Sequence, residues 1–506
     1  MYRNKAKDVY YDEEKVEVFP FLPNYRRDFI DRYEWKTDVI ESFNATEQRI
    51  RLRQYCRRSF EFEVFAQDTD RAALENHMWR LPFSLWAIPD WNRGRRTQVG
   101  DILPLGEDED MAFLRHGIVG LMGVGGVPQP YLGGAGHPTG VVYTYDTNFR
   151  HGIFGMSGVG GVVQANVPEV SQAGTAQFNS TDKFRHHMFG GFTVGGAIQV
   201  PADDMTDVGS YVRTGPTKGL GYIRGGYLIA FLSTTEFELH EVADVLSRGV
   251  ITKRTFTGRA GSVVYPGVLG RLRKQQSLTR YTPNFTYGVF SFDMLQVDSP
   301  YNYADSVWPT HNSFPVLEKT FNWDGGVNTQ FEFKGELIDT LLNNVTPYVQ
   351  SDTPQIVQQA KWFLNGENQL YEFLAFIHNV AGRLVPFWIP SYACDLVPVL
   401  VNGHLLDVKE CGYTPFAADK TSRTHIRIQT KRGEVLYRKI LFSIPDIAST
   451  KETLTLNFPL DISAGDIKMV SFMNLARFDQ DRFELAYKGP GFAQADTSIR
   501  TLRHDI

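Results

Sequence analysis

From Arg49 to Phe65 the chain alternates. Arg49, Arg51 and Arg53 fall on one side with Ile50 and Leu52 on the other, and then Glu61 and Glu63 oppose Phe60, Phe62 and Val64. A period of two marks half-buried strands. With Gln54 to Arg58 as the loop, the pattern predicts a hairpin in which Arg51 faces Glu61, Arg49 faces Glu63, Ile50 meets Phe62 and Leu52 meets Phe60. Asp68 or Thr69 then caps a predicted helix with Leu74, His77, Met78 and Leu81 at helical spacing, ended by Pro82-Phe83 and Ile88-Pro89-Asp90-Trp91.

The second half repeats this plan loosely. Phe331, Phe333 and Leu337 alternate with polar residues, Leu370, Phe373, Leu374 and Ile377 form a helical stripe, and Pro386-Phe387-Trp388-Ile389-Pro390 closes the stretch. The shared order of strand, helix, Pro-Phe and Ile-Pro predicts a duplicated module. Between the two lies a tighter repeat. Arg115-His116 with Gly125-Gly126, Arg150-His151 with Gly160-Gly161, and Arg185-His186 with Gly195-Gly196 recur at equal intervals (150 − 115 = 35 and 185 − 150 = 35). Each reads as strand, glycine turn, strand, because Gly-Gly permits positive φ between β-formers. Further on, Thr424–Lys431 and Glu434–Leu441 flank Arg432-Gly433 as a hairpin, and Leu454, Leu456 and Phe458 alternate.

The expected fold is mainly β with a few helices (α+β) and multi-domain, with β-sandwich or barrel-like modules and a glycine-rich β-repeat insertion. The expected segments are 1–100, an N-terminal β-hairpin plus helix module; 101–235, the glycine-rich triple-repeat β-subdomain; 236–395, a second β/helix module; and 396–506, a C-terminal β-domain.

Composition narrows the function classes. The chain has 506 residues, 42% of them hydrophobic, which excludes a disordered composition. Lys and Arg number 52 against 57 Asp and Glu, so the balance is not that of a dedicated nucleic-acid binder. Cys56, Cys394 and Cys411 are too few and too scattered for a disulfide framework or a zinc site. The first residues lack the apolar stretch of a signal peptide, so synthesis in a cytoplasm is expected. The uncharged stretch Gly117–Val127 is short of the roughly 20 residues a membrane-spanning helix needs, so no span is expected.

Catalytic signatures are near misses. His240-Glu241 is followed by Asp244 rather than a second His, and Gly219-Leu220-Gly221 is followed by Gly225 in the wrong place for a dinucleotide loop. No G-x-S-x-G elbow occurs. Stacking the repeats would align His116, His151 and His186, and three imidazoles could hold a transition metal. No carboxylate recurs with them, which favours Arg and His bonding backbone carbonyls in a repeated turn. The run Glu107-Asp108-Glu109-Asp110 lacks calcium-loop spacing and reads as a solvated turn. Arg49, Arg51, Arg53, Arg57 and Arg58 form either a phosphate strip or, favoured by the nearby Glu61 and Glu63, a contact between protein subunits. No catalytic, cofactor-binding or metal residues are expected.

Several patches carry a resemblance: Phe19-Pro20, Pro23-Asn24, Glu34-Trp35-Lys36-Thr37-Asp38-Val39, Glu47-Gln48-Arg49 and Arg57-Arg58-Ser59-Phe60-Glu61. Gly382-Arg383, Pro386 to Pro390, Asp395-Leu396, Arg477-Phe478, Asp481 and Phe483-Glu484-Leu485 extend it. Together they resemble bacteriophage tail virion proteins of the tail-tip or baseplate, the distal tail-like group. Cys56 stands where such proteins often have proline, and the triple repeat stands as an insertion. The resemblance implies a non-enzymatic structural subunit of the virion tail, forming a homo-oligomeric ring that contacts tube, hub or fibre proteins and serves assembly and host attachment. It needs no cofactor, nucleic acid or membrane span. Arg49, Arg51, Arg53, Arg57, Arg58, Trp388, Arg477 and Asp481 are the interface candidates. The alternatives are a carbohydrate-binding adhesion module built on the repeats and, behind it, a polysaccharide-degrading tail enzyme working through two carboxylates.

Overall fold

The computed structural model describes residues 2–42, 46–80, 83–98, 101–104, 209–214, 217, 221–258, 261–295, 303, 308–339, 345–351, 353–446 and 450–503. The fold is mainly antiparallel β with few helices, as the alternation predicts. The three glycine-rich repeats, with Arg115, His116, Arg150, His151, Arg185 and His186, lie outside the described residues.

One strand order occurs twice. In the first half it runs β1 (Phe29–Glu34), β2 (Thr37–Glu41), β3 (Glu47–Arg51), β4 (Arg57–Gln67), α1 (Asp68–Met78), β5 (Leu85–Pro89), β6 (Ser210–Val212), β7 (Tyr227–Phe231), β8 (Glu236–Leu246), β9 (Gly249–Thr252), β10 (Val263–Leu272), β11 (Ser277–Thr282) and β12 (Phe285–Met294). The second half runs β13 (Thr329–Glu332), β14 (Gly335–Asp339), β15 (Val345–Val349), β16 (Gln355–Asn365), α2 (Glu367–Val380), β17 (Phe387–Pro390), β18 (Pro398–Lys409), β19 (His425–Thr430), β20 (Val435–Asp446), β21 (Lys451–Leu460), β22 (Ile467–Phe478), β23 (Arg482–Gly489) and β24 (Phe492–Thr501).

The copies agree residue by residue in their pairing. From β2, β3 and β4 to β14, β15 and β16 the interval is constant (335 − 37 = 298), and from β12 to β24 it is 492 − 285 = 207. Asp31 faces Phe60 between β1 and β4, and the residues one interval on, Thr329 and Gln358, face each other between β13 and β16. Phe62 opposite Phe290 becomes Ala360 opposite Thr497, and Leu278 opposite Gly288 becomes Leu485 opposite Ala495. Even the irregularities match. The β11–β12 register slips between Arg280 and Thr282, and the β23–β24 register between Tyr487 and Gly489. A one-residue slip reverses which face a strand presents, so the shared register keeps the same faces inward in β4 and β16 and in β12 and β24.

In each half the long strand (β4, β16) lies against the penultimate edge of a sheet completed by β12 and β11, or β24 and β23. The strand β10, or β22, leaves that sheet to pair with β7, or β19, and so joins the small sheet β7–β8–β9–β6, or β19–β20–β21–β18. Strand pairing therefore crosses the sequence positions 100, 235 and 395. The largest core is shared between the halves: Phe29, Phe60, Phe62, Phe290 and Phe292 are continuous with Trp362, Phe373, Phe376, Phe387, Phe478 and Phe483. The helices differ. Leu74 is the buried residue of α1, whereas α2 buries most of its length, including the predicted Leu370, Phe373, Leu374 and Ile377.

The hairpin expected from Arg49 to Phe65 is corrected. β3 pairs with β2, setting Arg51 across from Thr37 and Arg49 across from Val39. Glu61 lies on β4, between Ile30 of β1 and Ser291 of β12. Alternation fixes a strand and its faces but not its neighbour, and here Ile50 and Leu52 are exposed while Phe60 and Phe62 are buried. Likewise Phe331, Phe333 and Leu337 do not share one strand; they sit on β13, the following link and β14, all exposed.

Candidate assembly surface

The first hairpin, β2–β3, is seated on the second half of the same chain. Its anchor is Asp481, in the turn between β22 and β23. The Asp481 carboxylate accepts from the Thr37 amide at 2.6 Å and from the Arg383 amide at 3.0 Å, and its backbone carbonyl accepts from the Trp35 amide at 3.0 Å. Gly382 makes this approach possible. It has φ +67°, and a Cβ there would stand 2.7 Å from Asp481 Oδ1 and 3.2 Å from its Cα.

Beside the anchor, Arg477 on β22 donates to both oxygens of Glu47 on β3, at 2.7 and 2.8 Å, and also bonds Asp479 at 3.1 Å. Arg477 and Glu47 are both buried. Burial alone would lower the Arg477 pKa, but the bonds to Glu47 hold it above the ordinary arginine value. Arg49 is drawn in beside this pair, and burial together with the charge of Arg477 lowers its pKa against the pull of Glu47. At the hairpin tip, Glu41 accepts from Lys334 and, at 3.1 Å, from Gln355. Burial would raise the Glu41 carboxyl, but these partners bring it below the usual range.

The interface candidates thus divide. Arg477, Asp481, Arg49 and Arg53 serve the seat of the first hairpin, Arg53 by donating to the Glu34 carbonyl at 2.9 Å. Arg58 is a core cation. It bonds Asp31 at 2.9 and 2.7 Å and Asp90 at 3.0 Å, lies over the Phe60 ring, and is held charged by these carboxylates although burial opposes it. Trp388 is fully buried and donates to the His311 carbonyl at 2.8 Å. Arg51 and Arg57 remain exposed. Sequence reading missed Glu41, Lys334 and Gln355, because nothing along the chain links Glu41 to partners about 300 residues away.

The second hairpin, β14–β15, has a different setting. Every residue of both strands is exposed, and Leu337, Ile338, Val345, Tyr348 and Val349 make it an apolar ribbon extended by Phe331 at 59% and Phe333 at 77% exposure. Contiguous exposed apolar surface of this kind marks contact sites. Among the described residues no group of three or more His, Cys, Asp or Glu side chains is placed to hold a metal ion, and no helix is long and apolar enough to cross a membrane. No family model matches the chain, and no curated protein matches it.

Proposed function

We propose that this chain is a non-enzymatic structural subunit of a bacteriophage tail tip or baseplate, assembling as a homo-oligomeric ring that contacts tube, hub or fibre proteins. The observation that carries the structural role is the contrast between two equivalent hairpins: one is seated within the chain, and the other is an exposed apolar ribbon. The virion assignment rests on the sequence resemblance. Its patches at Glu34–Val39, Glu47–Arg49, Gly382-Arg383, Arg477 and Asp481 are distant in sequence yet meet at one junction.

Native mass spectrometry of the purified chain, alone and with candidate tail proteins, tests the ring and is expected to give one closed oligomer. Immunogold labelling of phage particles tests the location and is expected to decorate the tail end. A chain that stays monomeric and is missing from particles overturns the proposal.

A further inference from the structure

The duplication sets up a pairing that is unfilled among the described residues. Inside the chain, β1 of the first half adds to the edge of β23 of the second, antiparallel, from Glu34 opposite Arg482 to Phe29 opposite Tyr487. The counterparts of these strands are β13 and β11. Among the described residues β13 pairs with β16 and with no other strand, and β11 pairs with β12 and with no other. All four residues of β13 are exposed, as are all of β11 except Leu278. An open edge is a ready template for another strand.

We propose that copies of this chain join head to tail, β13 of one copy adding antiparallel to β11 of the next, with the second hairpin seated over the β10–β11 turn of that neighbour. The inference rests on the ring reading and names the surface that forms the ring. Carrying the β1–β23 register over by the two intervals predicts Thr329 opposite Leu278, Gln330 opposite Ser277 and Phe331 opposite Gln276. The backbone agrees with this. The Asn328 carbonyl accepts from the Gln359 amide, so Asn328, Gln330 and Glu332 turn their polar groups to β16, while Thr329 and Phe331 turn theirs to the open edge.

Charge supports the same occupant. Within the chain, the seated hairpin carries Lys36, Arg49, Arg51 and Arg53 together with Asp38, Glu41 and Glu47, and the turn beneath it carries Asp479 and Asp481 beside Arg477. In the counterpart pair the β10–β11 turn carries Lys274 and Arg273, the latter paired with Asp293, and the second hairpin with its approach carries Glu336 and Asp339, with Glu332 paired to Arg500 and Lys334 to Glu41. Opposite potentials steer the contact and set its register. Each copy offers one donor strand and one acceptor edge, so the contact is heterologous and generates a ring when the rotation closes.

Cysteine pairing tests this in a Cys394→Ser, Cys411→Ser background. Residues directly opposite on antiparallel strands lie within disulfide reach. A chain carrying both Gln330→Cys and Ser277→Cys is expected to give a ladder of linked oligomers on oxidation. Mixing the two single variants is expected to give linked dimers and nothing larger, and each single variant alone is expected to stay unlinked at these positions. Phe331→Pro removes an outward N–H without touching the β16 ladder, and is expected to shift light scattering to monomer with an unchanged circular dichroism spectrum. If the parent chain is oligomeric, yet the cysteines do not link and Phe331→Pro stays oligomeric, the surface is wrong and the ring reading survives. If the parent is monomeric and nothing links, both are overturned.

Discussion

At the scale of single residues, the junction depends on a few polar groups whose partners are hundreds of positions away. Asp481→Ala would leave the Thr37 and Arg383 amides without their acceptor, a loss of about 1–3 kcal/mol for each group that stays dry. Arg477→Met would strand a buried Glu47, and about 3–5 kcal/mol of destabilisation is expected in chemical denaturation. Because Glu47 is what suffers, adding Glu47→Leu to Arg477→Met should recover much of that loss, and a pair of additive effects would argue against the ion pair. His311 supplies a pH dependence. Its ring bonds His425 at 2.8 Å beside Trp388, and burial, aided by Arg438 and Lys439, lowers its pKa to about 4. The unfolded chain, titrating near 6.5, takes up the proton first as pH falls. Stability from this group is therefore complete above about pH 6.5 and lost on the way down to about pH 4, a difference of about 2–3 kcal/mol. Thermal unfolding of His311→Gln should show a flatter pH profile in that window. The sequence picked out Arg58, Trp388, Arg477 and Asp481 as candidates for contact between subunits, and in the structure each bonds another part of its own chain. A charge pattern read along one strand carries no information about a partner such as Glu47, which lies 430 residues from Arg477.

At the scale of elements, periodicity found strands and helices well and pairings poorly. The α2 stripe was legible because four apolar residues at helical spacing all face the core, and the 11 residues of β4 were legible because Phe60, Phe62 and Val64 alternate with Glu61 and Glu63. The hairpin at Arg49 to Phe65 misled because two adjacent alternating runs look the same whether they pair with each other or with strands elsewhere. In the structure β4 is held by β1 and β12, and β3 by β2. The glycine-rich segment enters and leaves the fold at one place, for Pro104 and Ser210 are opposite each other on neighbouring antiparallel strands. Replacing residues 105–208 with a short glycine-containing turn should therefore preserve the fold. Circular dichroism and limited proteolysis of the shortened chain should match the parent outside the excised stretch, and a collapse of the β signal would mean that the segment supports the core.

At the scale of the whole molecule, the duplication was legible as a repeated order of strand, helix and Ile-Pro, while its extent was not. Few side chains are shared between equivalent positions: Phe62 corresponds to Ala360, and Asp31 to Thr329. What persists is backbone register, which hydrophobic patterning reports only weakly. Because one core runs through both halves, heating should give a single transition by fluorescence and circular dichroism alike, and two separated transitions would show that the halves are independent.

The clasp between β1 and β23 also sets a timetable for synthesis. Arg32 of β1 and Glu484 of β23, bonded at 2.7 Å, are 452 residues apart. At about 5–20 residues per second the ribosome needs roughly 20–90 s to deliver the second after the first. For that interval the β1 edge that β23 will cover has no resident partner, and a strand edge without a partner invites pairing with other chains. Release of chains ending at residue 466, before β22 to β24, should leave that edge open permanently. Such chains are expected in the pellet after expression, and co-expressing residues 467–506 should return part of them to the supernatant. The sequence of events in translation, rather than the strength of the finished fold, is then expected to limit the yield of intact chain.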